Sequence, residues 1–234
     1  MLDVQHIAFS FGRKHVLGDV TFSVATGEIV GVLGANGTGK TTLLKVLATC
    51  LMQDAGTISL DDIDSLATPL RYRKRIGYLP ETSPLYPEME VGEYLTYRAA
   101  LKGERFLRIK RRVKEVLNLC GLNPVARSRV KNLSLGYRKR VGLADVLLRR
   151  PTLMLLDDLL PGLDAAHRKK TAEILATSAP RSAILLTGHE LHELAAICTR
   201  FVLLENGTIT QSLSVASLPR PALEAMLETW LSRA

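Results

Sequence analysis

The chain has 234 residues, 31 of them Lys or Arg and 23 Asp or Glu, which leaves a formal net charge of +8. That length suits one α/β domain, or one domain with an inserted lobe, and allows a sizeable core. The basic balance favours an anionic partner: nucleotide, nucleic acid or the anionic face of a membrane. No apolar run approaches the ~18 residues of a spanning helix, and Met1-Leu2-Asp3-Val4 lacks the basic and apolar regions of a signal peptide. Cys50, Cys120 and Cys198 form no CxxC pair and read as small buried hydrophobes in a reducing compartment.

From the N-terminus, Val4, Ile7, Phe9, Val16, Val20, Phe22 and Val24 alternate with polar residues, punctuated by Gly12, Gly18 and Gly27. This pattern predicts two or three strands that lead into the continuously apolar residues 29–33. The stretch Gly34-Ala35-Asn36-Gly37-Thr38-Gly39-Lys40-Thr41-Thr42 comes next, ahead of a helical pattern at residues 43–47. Its spacing is that of a phosphate-binding loop. Gly34, Gly37 and Gly39, with Asn36 between them, let backbone N–H groups approach a triphosphate closely. The helix that follows turns its positive end to the anion. Lys40 would place a charge between the β- and γ-phosphates, the Thr41 hydroxyl would ligate Mg²⁺, and Thr42 would add a further donor. The alternative is an ordinary glycine-rich strand-to-helix turn.

Short strands are expected at residues 57–60 and 76–79. Pro80, Pro84 and Pro87 then break regular structure, and apolar positions from Val91 to Cys120 fall at helical spacing, predicting a helical lobe over residues 81–150. Residues 153–156 return to the sheet and end in Asp157-Asp158; a helix at 165–176 and strands at 183–187 and 201–204 follow, then an amphipathic helix within 221–234. The expected architecture is α/β: a phosphate-loop NTPase core of residues 1–80 and 151–220 with a parallel sheet, an N-terminal antiparallel β subdomain, and the inserted lobe.

Acids at the end of a buried strand, far downstream of a phosphate loop, supply the second half of such a site. Asp157 would hold Mg²⁺ through water, and Asp158 would orient or deprotonate an attacking water. Paired acids there could instead cap the next helix.

Leu133-Ser134-Leu135-Gly136-Tyr137, Pro161-Gly162-Leu163-Asp164 and His189 resemble the signature motif, D-loop and switch histidine of ABC ATPases. Order and spacing fit from about residue 2 to 210. The resemblance implies an ATPase subunit that dimerises around Mg²⁺ and ATP, as a homodimer or with a second ATPase subunit. It further implies a separate permease in the membrane, with this subunit on the cytoplasmic face. It places Phe11 against adenine, Ser134 and Gly136 on the γ-phosphate bound by the partner subunit, Asp164 across the dimer interface, and His189 on the γ-phosphate. Glu81 stands where the family commonly has a Gln near Mg²⁺ and the water, and residues 77–88 are similar to the subgroup serving ABC-2 type exporters.

Three features depart from the family pattern. Asp158 replaces the usual Glu and is followed by Leu159 and Leu160; its carboxylate ends about 1.5 Å short, one C–C bond. Misplacement near ~1 Å can cost ~100-fold in rate, so slow hydrolysis is expected. Glu81 is the second departure. Tyr137 and Leu135 alter the signature. Competing functions are a nucleic-acid or ribosome-associated ATPase, suggested by the basic residues 71–75 and 108–114, and a low-turnover nucleotide switch. A phosphate-loop kinase would leave residues 134–137 and His189 without a role. Nucleic acid is disfavoured because residues 108–114 fall on an amphipathic helix with Arg111 and Glu115 four apart.

Overall fold

The computed structural model describes residues 1–188 and 191–233. Its ten strands form one sheet. Strands β1 (Leu2–Phe11) and β2 (Lys14–Val24) pair as an antiparallel hairpin; β4 (Ala55–Leu60) adds to the other edge of β1, and β5 (Ile63–Asp64) ends that side. The parallel part contains β3 (Ile29–Leu33), β6 (Ile76–Leu79), β7 (Leu153–Leu156), β8 (Ala183–Thr187) and β9 (Arg200–Glu205). Strand β10 (Thr208–Ser214) runs antiparallel to β9 and meets β2 through the Thr208–Asp19 pair, so the order is β5-β4-β1-β2-β10-β9-β3-β8-β7-β6.

The sequence texture follows from this layering. In β3, Ile29 and Leu33 face one hydrophobic cluster while Val30 and Val32 face another; in β7, Met154 and Leu156 oppose Leu153 and Leu155 in the same way. Strands covered on both faces cannot afford a polar residue, hence the unbroken apolar runs. The hairpin strand β1 alternates buried and partly exposed positions instead. Helix α1 (Lys40–Leu47) buries Leu43, Leu44, Val46 and Leu47 beneath one face, and the short helix α2 (Pro69–Arg73) adds the buried Tyr72, whose hydroxyl donates to the Leu47 carbonyl at 2.9 Å.

The opposite face carries the lobe: α3 (Val91–Leu101), α4 (Phe106–Leu119) and α5 (Leu135–Leu147). In α4, Ile109, Val113 and Val116 are buried at helical spacing. After β7 come α6 (Ala165–Ser178), α7 (Leu191–Ala195) and α8 (Arg220–Arg233), which docks through Leu223, Leu227 and Trp230. No described helix is long and apolar enough to cross a membrane.

The predicted elements are all present where described, and four more strands and helices appear: β5, α2, α7 and β10. Strand β10, Thr-Ile-Thr-Gln-Ser-Leu-Ser, has no buried residue, so no apolar pattern announced it. One reading needs correction: Cys50 is exposed, beyond the C-terminus of α1, while Cys120 and Cys198 are buried. Burial pushes the Cys120 thiol up to about 12 and raises that of Cys198 as well.

One buried charge cluster ties the lobe together. Asp145 of α5 accepts from Arg98 Nε and Nη2 at 2.9 and 3.0 Å, and Lys102 Nζ lies 3.0 Å from its carboxylate and 2.5 Å from its carbonyl oxygen. Removing the acid would leave two cations facing each other out of water. Asp145→Ala is expected to destabilise the fold by about 3 kcal/mol, measured by urea denaturation against the wild-type chain.

Candidate functional site

The loop between β3 and α1 takes the shape its glycines permit. Gly34, Gly37 and Gly39 have φ of +153°, +87° and +103°. At Gly34 a Cβ would lie 2.4 Å from the Leu204 carbonyl oxygen, so β9 closes against the loop only because the side chain is absent. Lys40 Nζ donates to the carbonyls of Gly34 and Ala35 at 2.6 and 2.8 Å, curling over the loop. Burial lowers its pKa, and the neighbouring Asp158 and Asp157 push back.

Asp157 follows the last residue of β7 and is 3% exposed. Its Oδ1 accepts from the Thr41 hydroxyl at 3.1 Å and the Thr187 hydroxyl at 2.8 Å, while Oδ2 is buried with no hydrogen-bond partner among the described residues. The Thr187 oxygen also accepts from the Asp158 N–H at 3.1 Å, where the backbone turns through φ +48°. A buried carboxylate oxygen without a donor calls for a cation. Together with the Thr41 hydroxyl it fits Mg²⁺, which takes hard oxygen ligands from one or two side chains and the rest from phosphate and water. Bound there, the ion would supply charge neutralisation of a polyphosphate. The protein holds the carboxylate in place, and Lys40 and the loop N–H groups would be available to bind the phosphates.

These groups share one open cleft of about 910 Å³. Ala35, Asn36, Gly37, Gly39, Lys40, Thr41 and Thr42 line it together with Asp157, Asp158 and Glu81. Phe11 lines it too, 52% exposed, its ring edge-to-face on Phe9 with centroids 4.8 Å apart. The predicted loop, acid and aromatic residues therefore converge. Thr187 was missed, although a Thr ending the strand next to β7 is the available signal. His15, Val16 and Asn206 also line the cleft, and nothing in their sequence surroundings marks them.

Other predicted residues lie apart from this cleft. Ser134 caps α5, accepting from the Tyr137 N–H at 3.4 Å, and both residues line a separate depression of about 590 Å³. Gly136 is buried under His167. Asp164 caps α6, accepting from the His167 N–H and Nδ1 at 2.8 Å each, which holds its carboxyl below the usual range. His189 lies outside the described residues. Lys139 of α5 donates to the carbonyls of Asp158 and Pro161 at 3.0 and 2.7 Å, bracing the turn after β7 from the lobe.

Residues 17–160 match the family model described as ABC transporter. The chain belongs to the ABC transporter family. It is 35% identical over 207 residues to the Nod factor export ATP-binding protein I of Bradyrhizobium diazoefficiens, covering 88% of this chain and 68% of that protein. To the Fe(3+) ions import ATP-binding protein FbpC of Streptomyces coelicolor it is 34% identical over 214 residues, 91% of this chain and 61% of that one. A solved ATP-binding subunit of an ABC transporter superposes with a TM-score of 0.85 at 27% identity, covering 97% of this chain and 99% of that one. The mixed sheet with its helical lobe is thus the ABC ATPase fold, and the chain is an ATP-binding subunit and ATPase of that family, whose members bind ATP, generally with Mg²⁺.

Thr187 connects both acids, so its hydroxyl is open to a direct test. Thr187→Val should weaken Mg²⁺-dependent binding of an ATP analogue by about tenfold, the usual loss for a group that orients a metal ligand. Calorimetric titration with and without Mg²⁺ separates this from loss of phosphate contacts.

Proposed function

We propose that the chain dimerises around two Mg·ATP molecules, with a second copy or with a second ATPase subunit, and drives a separate permease from the cytoplasmic face of the membrane. The observation that carries this reading is the distance between motifs. The loop and acids share one cleft, whereas Ser134 and Tyr137 line another. A signature that acts on nucleotide must therefore act on one held by another subunit, and a two-fold arrangement satisfies both sites at once. Ser134 and Gly136, at the N-terminus of α5, would meet the γ-phosphate bound by the partner subunit, with Asp164 in the same interface. Phe11 would support the adenine, Glu81 and His189 would reach the metal, the water or the γ-phosphate, and Asp158 would align the water. Closure would follow ATP and release would follow hydrolysis.

Export is the proposed direction, supported by the likeness of residues 77–88 to exporters of the ABC-2 type. Nucleic acid is set aside as a partner. In the basic stretch 71–75, Arg73 donates to the Thr49 hydroxyl and Arg75 pairs with Asp61 at 3.0 Å. Co-purification of a polytopic membrane protein from native membranes tests the permease; steep salt-dependent binding to RNA in its place would overturn it.

Shared sites make a specific kinetic prediction. Lys40→Ala and Ser134→Glu chains should each be inactive, while an equal mixture of the two recovers roughly a quarter of wild-type ATPase, because half the dimers carry one intact site of two. No recovery would sink the shared-site reading for a homodimer. At Asp158 the shorter carboxylate limits turnover, so Asp158→Glu should raise steady-state ATPase by about tenfold or more; unchanged turnover would remove the explanation for slow hydrolysis.

A further inference from the structure

Residues 102–114 hold seven Lys or Arg against a single acid, Glu104, six of the chain's eight net positive charges in one helical hairpin. Some of these cations serve the fold. Lys102 is committed to Asp145; Arg112 donates to the Leu147 and Leu148 carbonyls at the end of α5 and to Glu115. The remainder point outward. Arg105, Arg108, Lys110 and Lys114 are exposed and have no carboxylate within ion-pair distance among the described residues, and Arg111 is 71% exposed, with Glu115 at 3.7 Å.

Beside them stands the most exposed apolar pair among the described residues. Phe106 is 87% and Leu107 88% exposed at the first turn of α4, and Leu101, which ends α3 across the turn, is 59% exposed. At 3.6 residues per turn Leu107, Lys110, Arg111 and Lys114 share one face, and the buried Ile109, Val113 and Val116 fix that face outward. The cations at 110 and 111 sit about 5 Å behind the apolar tip along the helix axis, at 1.5 Å per residue. That offset matches the step from the acyl boundary of a bilayer to its headgroup phosphates, where amphipathic segments bury ~5–10 Å.

We propose that the α3–α4 tip docks on an anionic lipid bilayer, with Phe106 and Leu107 entering the headgroup boundary and Arg105, Lys110, Arg111 and Lys114 meeting lipid phosphates. The occupant follows from charge and shape. A polyanion such as RNA would satisfy the cations and could stack on Phe106, but it would leave the aliphatic Leu107 and Leu101 in water; a lipid surface takes all of them. This contact goes beyond the transporter reading and does not depend on it, since the lipid itself, with no permease present, is the partner.

The test is flotation of the purified full chain, free of nucleotide, with phosphatidylcholine vesicles with and without phosphatidylglycerol. Wild type is expected to float with the anionic vesicles at low salt and to be released as salt rises. Reversing three cations in K110E/R111E/K114E should lower the partition coefficient roughly 100-fold. F106S/L107S, which keeps every charge, should lower it by about tenfold or more. Both variants should melt and bind an ATP analogue as wild type does, since none of these residues lines the cleft. Wild type failing to bind phosphatidylglycerol vesicles would overturn the proposal, as would F106S/L107S binding them normally. Tight binding of poly(U) that F106S/L107S leaves intact, without vesicle binding, would overturn it in favour of a polyanion site. None of these outcomes touches the dimer or permease tests above.

Discussion

A carboxylate removed from water must be given partners, and Asp157 receives them from two elements distant in sequence. Thr41, 116 residues away on α1, and Thr187, 30 residues away at the end of β8, converge on one of its oxygens. This pins the phosphate loop, β7 and β8 to one another at a single point. The second oxygen, left bare and buried, makes the same point a place for a cation. Stability and chemistry therefore ask opposite things of one side chain: the fold satisfies half of it and leaves the other half unsatisfied. Around that point the parallel strands are dry on both faces, so the site rests on packed sheet with little freedom to shift.

Legibility in the sequence tracked how local each signal was. The loop from Gly34 to Thr42 announced itself because its glycines, Lys40 and Thr41 act within nine consecutive residues. The acids at 157 and 158 were legible because a strand buried on both faces ends abruptly in charge. Strand β10 was not, because its residues are half-exposed and polar and it is held by backbone pairing with β9, which leaves no mark on side-chain choice. Thr187 was hidden for a different reason: its role exists only once β7 and β8 lie side by side. Cys50 misled because small, weakly polar residues are tolerated at a helix end as readily as in a core.

Ser134 and Tyr137 lie away from the cleft, in a depression of their own, and both hollows are formed within this one chain. Lys139 of α5 reaches back to the loop after β7, through the Asp158 and Pro161 carbonyls. Contact is thereby made to backbone, which fixes the position of the turn while leaving the acids to the cleft.

The packing of Gly136 against α6 bears on how much order an approaching subunit would have to create. A Cβ at Gly136 would fall 2.0 Å from His167 Cδ2, the Tyr137 ring meets the same imidazole edge-on at 5.3 Å, and the imidazole in turn holds Asp164. The N-termini of α5 and α6 are thus one interlocked patch within the single chain. Segments already immobilised lose little rotational freedom on association, so the entropic penalty of docking falls mainly on the bodies as wholes. A subunit that docked there, as proposed above, would meet a preformed template, with the cost of shaping it met during folding.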